Sequence, residues 1–432
     1  MRRLRGSCVL RSVLMTGPKV RIAILGINFA PEPTGIAPYT TLLASGLAAR
    51  GHEVEVLTGF PHYPQWKRLD GGFRFRSDEI EDRVRIRRFG HHVPRGATAA
   101  GRALMEMSFG LQLLLARWNG PDVVLCVSPP LLAAGLSVVR ARLSWRRPAI
   151  GVIVHDLYSR GAVEAAALSG LSASVAQAVE SAFLRSADSI VVIHDGFAQI
   201  LEEHLGVDRR RIRTIRNWNH VAPPDPAASS AFRAAHGWDS DEVVILHAGN
   251  MGTKQGLENV VAAARLAGRE GRRVRFVLLG DGNQRVRLEA AGAGIPTLQF
   301  LAPVTEENFP SALGAADVLL VNERPGVAQM AVPSKLTSYF NSGKPVLAAT
   351  DADGFTATEI AASGAGIRIP ADRPDLLLRE AVRLGTDGAL AAHMGEQGRR
   401  YCATTLSTYE ALERYEEWIR DLVRESRRQR SR

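Results

Sequence analysis

Val243-Val-Ile-Leu-His-Ala-Gly-Asn-Met-Gly-Thr-Lys-Gln-Gly256 begins as a continuous apolar run and ends as a glycine loop, and residues from Leu257 onward have helical periodicity. An apolar strand, a glycine turn and a helix, in that order, form the repeating unit of a parallel sheet covered on both faces. Glycines let a backbone come close to a ligand. A helix start adds unpaired N–H groups and a partial positive charge. Lys254 adds a mobile cation. The stretch therefore predicts a phosphate or diphosphate cradle in a domain that begins past the middle of the chain.

The same alternation extends in both directions. Valine- and isoleucine-rich runs at 20–25, 54–57, 84–89, 123–127, 150–154, 190–193 and 212–215 predict a first set of strands. Runs at 243–246, 274–279, 318–321 and 346–349 predict a second set, with helices expected at 257–267 and 334–342. A helix over 173–185 is expected to bury Val175, Val179, Ala182 and Phe183. The stretch Val221-Ala-Pro-Pro-Asp-Pro-Ala-Ala-Ser-Ser230 reads as an interdomain linker. The tail from 407 to 424 is one long amphipathic helix with a basic end. The expected fold class is α/β: two tandem doubly wound, Rossmann-like parallel-sheet domains facing a cleft. Their boundaries are a 1–18 extension, a 19–222 domain, a 223–405 domain and a 406–432 helix that crosses back to the first domain. Domains of this kind bind ligands at the carboxyl ends of their strands.

Composition narrows the class of ligand. The chain has 432 residues, 46% of them hydrophobic and 23% charged, which indicates folded domains and not a disordered chain. Its net charge of +10 is carried almost wholly by arginine, since the five lysines are Lys19, Lys67, Lys254, Lys335 and Lys344. That scarcity singles out Lys254. The charge suits phosphorylated small molecules or anionic lipid. No zinc-finger spacing or continuous basic recognition helix supports nucleic acid. Three scattered cysteines fit a reducing compartment. Residues 1–17 are basic and mildly apolar, but Arg11 interrupts them, so they read as an extension and not a signal peptide. The uncharged run 123–139 is split by Pro129-Pro130 and reads as strand, loop and helix, not as a membrane span.

The chemistry-bearing residues cluster after predicted strands. Gly26-Ile-Asn-Phe-Ala-Pro-Glu-Pro-Thr-Gly-Ile-Ala-Pro-Tyr39 lacks the G-x-G-x-x-G spacing, so a nicotinamide-dinucleotide reading loses its main support. Leu278-Leu-Gly-Asp-Gly282 is a second glycine turn, open to a ligand or simply tight. His155-Asp156 ends a strand, where either residue can orient a hydroxyl or take its proton, or serve as a cap. Pro333-Ser-Lys-Leu336 opens a helix, so its start and Lys335 can contact phosphate. Residues 102–118 carry apolar side chains on two faces (Leu104, Ser108, Leu111 and Leu115; Met105, Phe109 and Leu113), near Trp145 and four arginines. That combination fits either core packing on both sides or shallow docking on anionic lipid.

Pro31-Glu-Pro-Thr-Gly35, Gly51-His-Glu-Val-Glu-Val56, Pro61-His-Tyr-Pro-Gln-Trp66 and Gly249-Asn-Met-Gly-Thr-Lys-Gln-Gly-Leu-Glu258 together resemble glycosyltransferase family four. This is the retaining family with the GT-B fold, and the similarity is greatest to its colanic-acid-type exopolysaccharide branch. It runs from about residue 19 to the end. The resemblance implies a C-terminal domain holding a nucleotide-diphosphate sugar on Gly249, Asn250, Gly252, Gln255, Gly256, Gly280, Gly282, Lys335 and Glu359. It implies an acceptor side with Glu32, Thr34 and Gly35. Lys254 would neutralise the departing diphosphate, a contribution of about 2.7–4 kcal/mol for comparable groups. Asp156, or His155, would serve the acceptor hydroxyl. The family's two glutamates, eight positions apart before a Gly-Lys-Pro turn, are replaced by Met330 and Ser338 ahead of Gly343-Lys-Pro345, which leaves Glu323 and Glu359 as nearby carboxylates.

Asp351 and Asp353 form an Asp-x-Asp pair, but the cationic loop makes a metal unnecessary, and no cofactor is expected because the sugar nucleotide is a co-substrate. The implied partners are that nucleotide, a saccharide acceptor carried on polyprenyl diphosphate and an anionic membrane surface, with no nucleic acid. The implied location is cytoplasmic, peripheral at the inner face of the membrane. Two alternatives remain: a sugar-nucleotide epimerase of the same form, and a non-catalytic sugar-nucleotide-binding protein, which the absent glutamates would suit.

Overall fold

The computed structural model describes residues 18–33, 35–63, 65–69, 74–94, 98–157, 171–327 and 334–430. The expectations for 1–17, Thr34 and Met330 therefore lie outside the described residues. The chain divides into two compact units: residues 1–215 with 411–432, and residues 216–410.

Unit 1 is an eight-stranded sheet. Its strands are β1 (Arg21–Leu25), β2 (Glu53–Gly59), β3 (Arg76–Glu81), β4 (Val84–Phe89), β5 (Val123–Ser128), β6 (Ala149–Val154), β7 (Ser189–Val192) and β8 (Ile212–Thr214), in the order β3-β4-β2-β1-β5-β6-β7-β8. All pairs are parallel except β3 with β4. The helices are α1 (Ala37–Ala49), α2 (Ala99–Leu115), α3 (Leu131–Leu143), α4 (Leu171–Ser186) and α5 (Asp195–Glu203). Strands β5 and β6 are buried at every position, because helices cover both faces of a central parallel strand. The uncharged run 123–139 resolves into β5, a turn and α3, and among the described residues no helix is long and apolar enough to cross a membrane.

Unit 2 is a six-stranded parallel sheet in the order β11-β10-β9-β12-β13-β14. It follows α6 (Pro226–Ala235) with β9 (Val243–Ala248), α7 (Glu258–Arg269), β10 (Val274–Leu279), α8 (Arg285–Gly292), β11 (Leu298–Leu301), α9 (Phe309–Ala315), β12 (Val318–Asn322), α10 (Lys335–Ser342), β13 (Val346–Ala349), α11 (Phe355–Ser363), β14 (Gly366–Ile369), α12 (Pro374–Thr386) and α13 (Gly388–Thr404). The last helix, α14 (Thr408–Arg430), packs largely in unit 1. There Trp418 covers Gly151, where a Cβ would come within 2.6 Å of the indole, and its Nε1 donates to Ser189 Oγ at 2.9 Å.

Four local expectations are corrected. The stretch 221–230 is not an open linker: Asp225 accepts the amide of Ala228 at 2.7 Å and Pro226 takes the first helical position of α6, so proline here starts a helix. Strands β3, β11 and β14 were not anticipated. Edge strands lack the apolar runs of buried ones, and β3, Arg-Ser-Asp-Glu-Ile-Glu, is exposed along most of its length. In α4, Val175, Val179 and Ala182 are exposed; Phe183 is buried as expected, but its buried companions are Glu180 and Leu184, with Ala187 just beyond the helix. The helix expected from Leu257 begins at Glu258, after a single 3-10 turn, Thr253–Gln255.

Candidate active site

In unit 2 two glycine turns follow β9 and β10, and they are built against each other. Gly249 N–H donates to Leu279 O at 2.8 Å, Met251 N–H to Asp281 O at 2.8 Å, and Gln284 N–H to Met251 O at 2.9 Å. A Cβ on Gly280 would fall 2.0 Å from the Gly249 carbonyl oxygen, and one on Gly282 would fall 2.5 Å from that of Met251. These two glycines therefore serve loop-to-loop packing directly. Gly249 is the one whose missing side chain faces open chemistry: a Cβ there would lie 3.7 Å from Lys335 Nζ.

The cradle is fastened from below. Asn322, buried at the end of β12, donates Nδ2 to the carbonyls of Gln255 at 2.8 Å and Gly256 at 2.9 Å. Asn259 donates to Asn322 Oδ1 at 2.8 Å. Gln255 Oε1 accepts the Gly252 amide at 3.0 Å, and Gly256 closes the turn in the left-handed region at φ +53. Asn250 and Lys254 are exposed at the rim. Glu258 occupies the first turn of α7 and pairs with Arg287 at 3.7 Å, so that helix start already has an acidic side chain.

The central cation is Lys335, at the start of α10. Its ammonium lies 3.4 and 3.3 Å from the two ring nitrogens of buried His247 and forms no ion pair among the described residues. Desolvation lowers its pKa to about 7, against an opposing attraction from Glu323. His247 is held well below its ordinary value, first by burial and then by Lys335. Glu323, just after β12, accepts Thr356 Oγ1 at 2.8 Å and Thr350 Oγ1, and burial raises its pKa. Ser338, where the family pattern has a glutamate, donates to the Lys335 carbonyl at 2.9 Å, so its hydroxyl is used within α10. Glu359 is buried against Arg216 and accepts Tyr401 Oη at 3.0 Å. Asp351 accepts the Gly326 amide at 2.8 Å.

In unit 1 the loops after β1, β2 and β6 meet at the carboxyl edge of the sheet. Glu32 is buried there. One carboxylate oxygen accepts the amides of His62 at 2.8 Å and Tyr63 at 2.9 Å, and the other accepts Asn28 Nδ2 at 2.8 Å. It joins two loops, and Gly35, at φ +70, leaves room for the Tyr63 ring, 3.4 Å from where a Cβ would be. His155 stacks on Tyr39 at 5.9 Å, burial lowers its pKa to about 4, and its Nδ1 is buried without a hydrogen-bond partner. Asp156 next to it is exposed; burial first, and then the Asp156 charge, raise the pKa of Tyr63.

The structure thus brings Gly249, Gly252, Gln255, Gly256, Gly280 and Gly282 together around one pair of loops, with Lys335 against Gly249. Sequence reasoning missed His247, Asn259, Asn322 and Tyr339, whose hydroxyl accepts the Ala248 amide at 2.8 Å. For His247 and Asn322 the available signal was a lone polar residue closing or interrupting an apolar strand; Asn259 and Tyr339 lie on α7 and α10 and carried no such mark.

Two doubly wound sheets in one chain, the second presenting a cation at glycine loops beyond its strands, are the architecture of the GT-B fold. Residues 34–218 match the glycosyl transferase 4-like domain and residues 229–401 the glycosyl transferases group 1 domain. The chain is 30% identical over 336 residues to a putative colanic acid biosynthesis glycosyl transferase, WcaI, of Escherichia coli strain K12, covering 75% of this chain and 82% of that one. It belongs to glycosyltransferase family four and is a transferase. It is also 28% identical to the probable glycosyltransferase WbjE of Pseudomonas aeruginosa, over 73% of this chain and 78% of the relative. Among solved structures, sucrose-phosphate synthase from Thermosynechococcus elongatus matches with TM-score 0.72 and 18% identity, covering 93% and 98% of the two chains. Anabaena Alr3699/HepE in complex with UDP and glucose matches with TM-score 0.69 and 14% identity, covering 93% and 99%.

Proposed function

We propose that the chain is a retaining hexosyltransferase of surface-polysaccharide assembly, which takes a sugar from a nucleoside-diphosphate donor and gives it to a lipid-linked saccharide at an anionic membrane face. The observation that carries the donor half is Lys335: an ammonium beside Gly249 that forms no ion pair among the described residues, with Glu323 attracting it from beyond ion-pair distance. A diphosphate supplies an anion at close range. Lys335, the start of α10 and the rim cation Lys254 then act on the charge that grows on the leaving diphosphate.

Glu323, anchored by Thr350 and Thr356, stands nearer this chemistry than Glu359, whose partners are Arg216 and Tyr401. We assign ribose or sugar hydroxyls to it. On the acceptor side, His155 is neutral near pH 7 and carries an unused ring nitrogen, and Asp156 is open to solvent. Either can orient the acceptor hydroxyl, and the departing phosphate takes its proton. The reading needs neither metal nor cofactor, so transfer should persist in excess chelator. A membrane-bound setting agrees with the exposed apolar residues of α2.

The test is transfer from a panel of GDP-, UDP- and dTDP-sugars to lipid extracts of polysaccharide-producing cells, with wild type and Lys335→Ala. Acceptor-dependent transfer by wild type that collapses in the variant supports the proposal. Conversion of the donor alone to an epimer would replace it with the epimerase reading.

A further inference from the structure

We propose that the outer face of α2 and the turn after α3 form a docking site for an anionic phospholipid bilayer, with headgroup phosphates held by arginines at the amino edge of the unit 1 sheet. The inference rests on the membrane setting proposed above and locates it on the molecule.

Helix α2 has two apolar faces, and the structure buries one of them. Met105, Phe109 and Leu113 are in the core, and Gly110 lets Ala133 and Leu136 of α3 approach closely. The other face stays bare: Leu104, Met107, Leu111 and Leu115 follow one another at helical spacing and are 54%, 38%, 50% and 84% exposed. Leu143, at the end of α3, is 82% exposed and Trp145 is wholly exposed. The turn that presents the indole is short, with the Arg147 amide donating to Ser144 O at 3.0 Å and Arg147 in the left-handed region at φ +38. Apolar residues scattered singly are ordinary on a protein surface, but a four-residue helical stripe together with a bare tryptophan after the adjoining α3 marks a binding face.

Charge selects a bilayer as the occupant. Beside Trp145, a cavity of about 290 Å³ is lined by Arg140 and Arg146 together with Trp118 and the Asn119-Gly120-Pro121 turn. The adjoining cavity of about 250 Å³ is lined by Arg21, Arg146, Arg427 and Arg430, with Trp145 as one wall. Asp122 is the carboxylate in that lining, and Arg21 at 3.3 Å and Arg427 at 3.6 Å already hold it. Four guanidinium groups against one carboxylate leave the cavity cationic. Arg430, from α14, is fixed in place by donating to the Arg146 carbonyl. Tryptophan at headgroup depth, leucines below it and arginines on phosphate match the layering of a membrane interface.

The stripe also has a direction. Helix α2 starts beyond β4, at the carboxyl edge that carries Glu32 and His155, and ends before β5, at the amino edge with the arginine cavities. From Leu104 to Leu115 the stripe spans about 16 Å at the helical rise per residue. It leads from the headgroup cavities toward the proposed acceptor edge.

The experiment is cosedimentation of the full chain with vesicles of phosphatidylcholine, alone or mixed with phosphatidylglycerol, read at low and high salt. Binding should require phosphatidylglycerol and weaken with salt. Trp145→Ala with Leu143→Ser should lose at least tenfold. Arg146→Glu and Arg430→Glu should each lose about fivefold or more, from the usual strength of one basic residue at such a surface. None of these variants should change donor binding in a thermal-shift assay, so loss of docking is distinguishable from failure of the transferase reading. Three results would overturn the proposal: no wild-type binding at low salt, equal binding by all variants, or a wild-type dimer that Trp145→Ala turns into a monomer. The last would assign the face to a second copy of the chain.

Discussion

Lys335 keeps an ammonium beside an imidazole, where its charge is costly until an anion arrives. In the unfolded chain it holds its proton to about 10.5, and in the folded chain it releases it near 7. Between those values the folded state binds fewer protons, so this residue makes stability rise with pH across that window. Donor binding should work the other way. A diphosphate needs the charged lysine, so kcat/KM for the donor should fall as pH climbs through about 7, up to tenfold per unit. Lys335→Arg should abolish that alkaline fall. Lys335→Ala should lose roughly 10²–10³-fold in kcat with an unchanged circular-dichroism spectrum, and Lys254→Ala should lose less. Steady-state profiles of the three variants decide the ranking. Of these two lysines, the sequence singled out Lys254 for its place in the glycine loop. What it could not show is that Lys254 lies exposed on a 3-10 turn while Lys335, about eighty positions on, reaches the same loop. Convergence of distant segments is a property of sheet order, and spacing along a chain does not encode it.

Among the elements, the paired loops after β9 and β10 are the most constrained. Gly280→Ala places a methyl group on the Gly249 carbonyl oxygen and forces an alanine to φ +138. Conformational strain of this kind costs about 1–3 kcal/mol. The expected outcome is a lower melting temperature and a raised donor KM, with the acceptor KM unchanged. Helix α14 offers the second test. Trp418→Ala should destabilise unit 1 by about 3–5 kcal/mol, read from denaturant unfolding. Central strands were legible because burial on both faces writes itself as unbroken apolar runs. Edge strands β3, β11 and β14 were not, since half their surface meets solvent. The α4 face misled for a related reason: Val175 and Val179 keep helical spacing yet are exposed, while a buried glutamate, Glu180, lies on the covered side.

For the molecule as a whole, a nucleotide that binds the folded state alone raises its stability by about 2.7 kcal/mol at a hundredfold excess over Kd. A thermal-shift panel of UDP, GDP and dTDP should therefore single out one base, and the shift should vanish in Lys335→Ala. The order of the units along the chain has a further consequence. Unit 2 is one uninterrupted stretch, but unit 1 takes its final helix from beyond residue 410. During synthesis, unit 2 can thus close before its predecessor has all its parts, and the unit made first is finished last. Until α14 emerges, Gly151 and its neighbours in β6 lack the indole that covers them, which gives a chaperone a defined interval in which to act. A ribosome stalled just short of α14 should display a protease-sensitive first unit beside a resistant second one.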